Sequence, residues 1–142
     1  AMKEALDRNA IVALLADRAL PGNAVVHARF LGGIASFPSA PWLLAAACKA
    51  PVLLSFGLYR GGNRYDLHFE TFAGRLEIDR CNRAAELAAL VQRFADRLAH
   101  YAALAPYNWF NFYDFWQGDA ADGRERSDGA VPAAGSDFAR RS

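Results

Sequence analysis

The stretch that decides the fold is Ile11–Pro38, IVALLADRALPGNAVVHARFLGGIASFP. It opens with six consecutive apolar residues, Ile11 to Ala16, and breaks off at Asp17 and Arg18. A short apolar run bounded by polar and turn residues predicts a strand buried on both faces, the pattern of a parallel sheet. Charges at the carboxyl end of such a strand stand where open α/β sheets bind their ligands. Pro21-Gly22-Asn23 then predict a turn. Val25, Val26, Phe30 and Leu31 predict a second β-rich run, and Gly32-Gly33 leads into Phe37-Pro38. The stretch reads as one half of an active-site rim whose other half is missing from the sequence.

Residues on either side extend this reading. Met2–Asn9 has the composition of a helix's last turns, with Asn9 as the carboxyl cap. A helix that arrives already ending, followed at once by a buried strand, is expected where something lies upstream. A short amino-terminal helix on a complete small domain is the other reading. Ser39–Ala50 predicts a helix with Ser39 as cap and Pro41 in its first turn. Pro51 ends it, and Val52–Phe56 predicts a further strand buried on both faces. Strand, crossover helix and strand make a βαβ unit, so the expected fold class is α/β, a mixed, mainly parallel sheet flanked by helices.

Leu58–Arg60, Gly61-Gly62-Asn63 and Arg64–Glu70 predict a β-hairpin, the turn residues supplying positive φ. In its second arm Tyr65, Leu67 and Phe69 alternate with Asp66, His68 and Glu70. This places His68 on a wet face as an exposed histidine. From Ala84 the period becomes helical. Leu87, Leu90, Val91, Phe94, Leu98, Tyr101 and Ala105 form one stripe up to Pro106, and Asp96 and His100 are spaced to pair on the surface. Tyr107–Trp116 holds seven aromatics, for which three readings stay open: a lid on the domain's own core, a membrane-interface segment, or a partner surface. Residues 118–142 lack periodicity and read as a disordered tail, which leaves 1–117 as one α/β domain.

Composition excludes several classes. The chain has 142 residues and a net charge of +1. Without the tail, twelve basic residues stand against ten acidic ones, so no basic face marks a nucleic-acid binder. Cys48 and Cys81 are not at metal-ligand spacing, and Cys48 in an apolar helix reads as a buried free thiol. No metal site is therefore expected, and a reducing, cytoplasmic compartment is. The amino end has charges and no apolar core, so no signal peptide is expected. No apolar run reaches the length of a membrane span.

Nucleophile elbows, glycine-rich phosphate loops and defensible Cys/His pairs are all missing from the sequence. What remains is Asp17-Arg18 at a strand end, Arg29 before Phe30-Leu31-Gly32, and Arg60 at the mouth of another strand. Such groups at one sheet edge suit an anionic, phosphate-bearing ligand. The other reading of Asp17 and Arg18 is a structural pair beside a loop.

Taken in order, ALLADR, FLG, FP-x-x-P, an alanine-rich helix, APV, and HY-x-x-x-APYNWFNFYDFW resemble the carboxyl-terminal half of the lysophospholipid acyltransferase superfamily. The nearest branch is that of the lipid A biosynthesis lauroyl/myristoyl acyltransferases. The resemblance runs from about Glu4 to Trp116 and implies an incomplete acyltransferase fold over 1–117. It implies transfer of a fatty acyl group from a carrier-protein or coenzyme A thioester to a lipid or glycolipid hydroxyl, with no bound cofactor, at the cytoplasmic face of the inner membrane. The family's general base is a His followed four or five residues later by an acid. His27, His68 and His100 all fail that test, so no catalytic residue is expected here and the base is expected upstream.

By position, Asp17 and Arg18 match the family's acidic block. Arg29, Phe30 and Gly32 match its Phe-Gly block, with Leu31 where the family has a second Phe. With Phe37 and Arg60 these are the expected substrate-binding residues. Tyr107, Trp109, Phe110, Phe112 and Trp116 are the expected membrane or lid residues. A non-catalytic module binding acyl chains or membrane surfaces is the alternative, and exposed sheet surface would allow oligomers.

Overall fold

The computed structural model describes residues 2–109 and 115–116. The predicted tail and the candidates Phe110 and Phe112 lie outside the described residues. The elements are α1 (Met2–Asp7), β1 (Val25–Phe30), β2 (Gly33–Pro38), α2 (Ala40–Ala47), β3 (Val52–Tyr59), β4 (Tyr65–Ala73) and α3 (Arg83–Leu104), then a short 3-10 turn, Pro106–Asn108.

The fold is mixed α/β, but its sheets are antiparallel: β1 pairs with β2, and β3 with β4. This corrects the expected mainly parallel sheet, and turn chemistry is the reason. Leu31 and Gly32 both have positive φ (47° and 88°), which closes a two-residue hairpin between β1 and β2. Gly61, Gly62 and Asn63, also at positive φ, close β3 onto β4 as predicted. Helix α2 forms where expected, yet it links two separate hairpins, so no βαβ unit exists among the described residues. Ser39 is not its side-chain cap; its hydroxyl donates to the carbonyl of Ala24. Asn9 does end α1 in the left-handed region (φ 58°), with its N–H on Leu6 and that of Ala10 on Ala5.

The run Ile11–Ala16 is not a strand. Val12 and Ala16 are half-buried, whereas Leu15 is exposed and Ile11 is 96% exposed. An apolar run becomes a doubly buried strand only where neighbours flank it on both sides, and no strand among the described residues pairs with it.

The core lies between sheet β1–β2, α2 and the predicted stripe of α3. Ala28, Phe30, Ala35, Phe37, Trp42, Val91, Phe94 and Leu98 form one cluster. Phe37 meets Phe94 and Phe115 edge-on. Strand β3 is not buried on both faces: Leu54 and Leu58 turn in, while Leu53 and Ser55 are exposed. In β4 the predicted sides are reversed. Tyr65, Leu67 and Phe69 are exposed, and His68 and Glu70 are half-buried towards α3. Helix α3 supplies the reason, because Arg97 and Tyr101 give the Glu70 carboxylate its partners.

Candidate functional site

A groove of about 580 Å³ runs between the extended segment 11–18 and β3. The free side of β3 exists because β3 has only β4 beside it among the described residues. Helix α3 supplies one wall of the groove through Phe94, Leu98, Tyr101 and Ala105 of the predicted stripe, with Ala102 beside them. Asn108, Trp109 and Phe115 also line it. Asn108 is fixed there because its side-chain oxygen accepts the Tyr59 N–H at 2.8 Å. The lining is mainly apolar, with Asp17, Arg18, Ser55, Tyr101 and Asn108 as its polar members, and the volume is that of small-ligand sites, about 300–1,000 Å³.

Asp17 and Arg18 line this groove, as Trp109 does. They form an exposed ion pair, Arg18 Nε donating to Asp17 at 3.4 Å, a contact that contributes little to stability. The remaining candidates are not brought together with them. Phe30 and Phe37 are core residues, Phe37 with no exposed surface, so neither forms the surface of a pocket. Phe30 reaches the groove only indirectly, since its ring packs on Trp109 and Phe115, which line it. Gly32 is a turn residue at positive φ. Arg29 is exposed, and its main-chain N–H and C=O are both bound by the Gln92 side chain. Arg60 sits at the β3–β4 turn and pairs with Asp66 at 2.7 Å.

The aromatic segment divides. Phe115 is in the core, and Trp116 donates its indole N–H to the Phe30 carbonyl at 3.0 Å. Tyr107 by contrast is 94% exposed.

The strongest polar cluster is one that sequence inspection missed. Arg97 donates two hydrogen bonds to Glu70, one of 2.8 Å, and Tyr101 donates a third of 2.6 Å. The bonds from Arg97 and then Tyr101 lower the Glu70 pKa from 4.5 to about 2. The same contact raises that of Arg97 and, with burial, that of Tyr101. The spacing of Arg97 and Tyr101, one helical turn apart, could have suggested a shared ligand. His68 is not the solvated residue expected: its ring lies on Tyr101, and its Nε2 is buried with no hydrogen-bond partner among the described residues. Asp96 accepts from Gln92 at 2.8 Å rather than meeting His100. His27 lies 3.1 Å from the Ser36 hydroxyl.

Among the described residues no cluster of His, Cys, Asp and Glu could hold a metal, and no helix is long and apolar enough to cross a membrane. Both cysteines are free, Cys48 half-buried and Cys81 exposed. No family model, curated protein or solved structure matches the chain.

Proposed function

We propose that this chain is the acyl-binding part of an acyltransferase of the lysophospholipid type, and that the groove beside β3 receives the fatty acyl chain. One observation carries the reading: a mainly apolar groove of about 580 Å³ with an acid and a guanidinium among its lining residues. Apolar walls suit an alkyl chain, which each buried methylene holds by about 0.8 kcal/mol. Arg18 would meet the phosphate of a carrier-protein or coenzyme A thioester, or of the lipid acceptor. The order of sequence blocks favours acyl transfer over other uses of such a groove.

In that transfer the C–S bond of the thioester breaks, a C–O bond to the acceptor hydroxyl forms, and the hydroxyl proton passes to a base. None of the three histidines is followed by an acid at the required spacing. The proposal therefore gives this chain binding and positioning, not proton transfer. The work would be done peripherally at the cytoplasmic face of the inner membrane, with Tyr107 available to the interface.

Titration with lauroyl-coenzyme A and with a fluorescent fatty acid tests this. Saturable binding is expected, weakened about tenfold or more by Ala102→Trp, which fills the groove from α3. Absence of saturable binding, or equal binding by a folded Ala102→Trp variant, would refute it.

A further inference from the structure

Strand β4 has one partner strand among the described residues, so its other edge is open. Hydrogen bonds at the turn show which main-chain groups that edge carries. Arg60 N–H points into the hairpin, to the Arg64 carbonyl, and Tyr59 N–H points out, to Asn108. Alternation through the register then turns the N–H and C=O groups of Tyr65, Leu67 and Phe69 outward from β4.

Among the described residues, two other strand edges are capped by amide side chains. Gln92 binds both main-chain groups of Arg29 in β1, and Asn108 binds Tyr59 in β3. The outward groups of Tyr65, Leu67 and Phe69 have no such cap among the described residues. Their side chains are also exposed, Leu67 by 64%. A nine-residue strand with an open edge and apolar exposed side chains is a template for adding another strand.

The sequence of β4 selects which strand. In an antiparallel pair of two β4 copies related by a two-fold axis at Leu67, Tyr65 of each copy faces Phe69 of the other. Asp66 faces His68, and Arg64 faces Glu70. The aromatic pair is favourable, and no like charges meet, Asp66 and Glu70 keeping their own partners Arg60 and Arg97. Moving the axis to His68 sets Asp66 against Glu70, and moving it to Asp66 sets that carboxylate against itself. Both alternatives oppose like charges.

We propose that the chain forms a two-fold dimer through its β4 edges, with Leu67 opposite Leu67 and a continuous four-stranded sheet β3–β4–β4–β3. The proposal does not depend on the acyl-binding reading.

Cysteine cross-linking on a Cys48→Ala, Cys81→Ser background tests it. Leu67→Cys is expected to give a disulfide dimer on mild oxidation, because cross-strand neighbours lie within about 5.5 Å. Tyr65→Cys mixed with Phe69→Cys is expected to cross-link, and each alone is not. Leu53→Cys, on the exposed face of β3, is expected to stay monomeric. Light scattering of the unmodified chain should give twice its 15.5 kDa mass. Phe69→Lys, which charges the edge without disturbing the core, should weaken the dimer about tenfold or more. A monomeric mass at the highest soluble concentration overturns the proposal. A dimer cross-linked through Leu53 and not Leu67 overturns it equally.

Discussion

The two hairpins share an architecture and differ in what their side chains face. In β1–β2, the alternation Ala28, Phe30 and Ala35, Phe37 sends one apolar row into the core, where Phe30, Phe37, Phe94 and Phe115 interlock. In β3–β4, apolar residues occupy both faces. Leu54, Phe56 and Leu58 turn towards α3, and Leu53, Tyr59, Tyr65, Leu67 and Phe69 are left outside. The first hairpin holds the fold together. The second has one face committed to the fold and one face and one edge available for binding.

The largest difference should appear in paired truncations. Phe37→Ala is expected to cost about 3–5 kcal/mol in urea unfolding. Phe69→Ala, at a half-exposed position outside the core, should change stability by no more than about 0.5 kcal/mol at a concentration where the chain is monomeric. Equal costs would erase the distinction between the hairpins.

Gly33→Ala probes the closure of the first hairpin by the carboxyl-terminal aromatics. A Cβ there would collide with the Trp116 indole, which donates to the Phe30 carbonyl. The expected loss is about 1–3 kcal/mol, with a change in tryptophan emission.

On the second hairpin, Glu70→Gln removes the anion that Arg97 and Tyr101 hold. Because the carboxyl pKa is depressed from 4.5 to about 2, the native chain gains stability from this group above pH 4.5. It loses that gain as pH falls towards 2. The variant should be less stable at neutral pH, and the gap should close through that window in acid-unfolding curves.

The smallest effect is at Leu31. Its positive φ in the turn strains a side chain that is half exposed. Leu31→Asn should stabilise the first hairpin by about 0.4–1 kcal/mol, read from the shift of the urea midpoint.

Helices were the most legible part of the sequence. The seven-residue stripe from Leu87 to Ala105 and the Pro41 start of α2 need only local periodicity and proline geometry. The Gly61-Gly62-Asn63 turn was equally plain. Strand faces were not, because alternation fixes two sides without saying which side is covered. In β4 the side with the carboxylate and histidine faces α3, since Arg97 and Tyr101 lie there to satisfy Glu70. Ile11–Ala16 has the composition of a central strand, but pairing is a tertiary fact that composition does not contain. Of the candidate site, Asp17, Arg18 and Trp109 share a groove. Phe30 and Phe37 lie in the core instead, because an aromatic at alternating spacing serves a core as well as a pocket.

Spin-labelled fatty acid followed by amide line broadening tests the acyl-binding groove most directly. Broadening is predicted at Leu98, Tyr101 and Ala102, where α3 lines the groove, with Ala28 and Ala35 of the first hairpin unaffected. Broadening confined to Tyr65 and Leu67 on the outer face of β4, with α3 untouched, would contradict it.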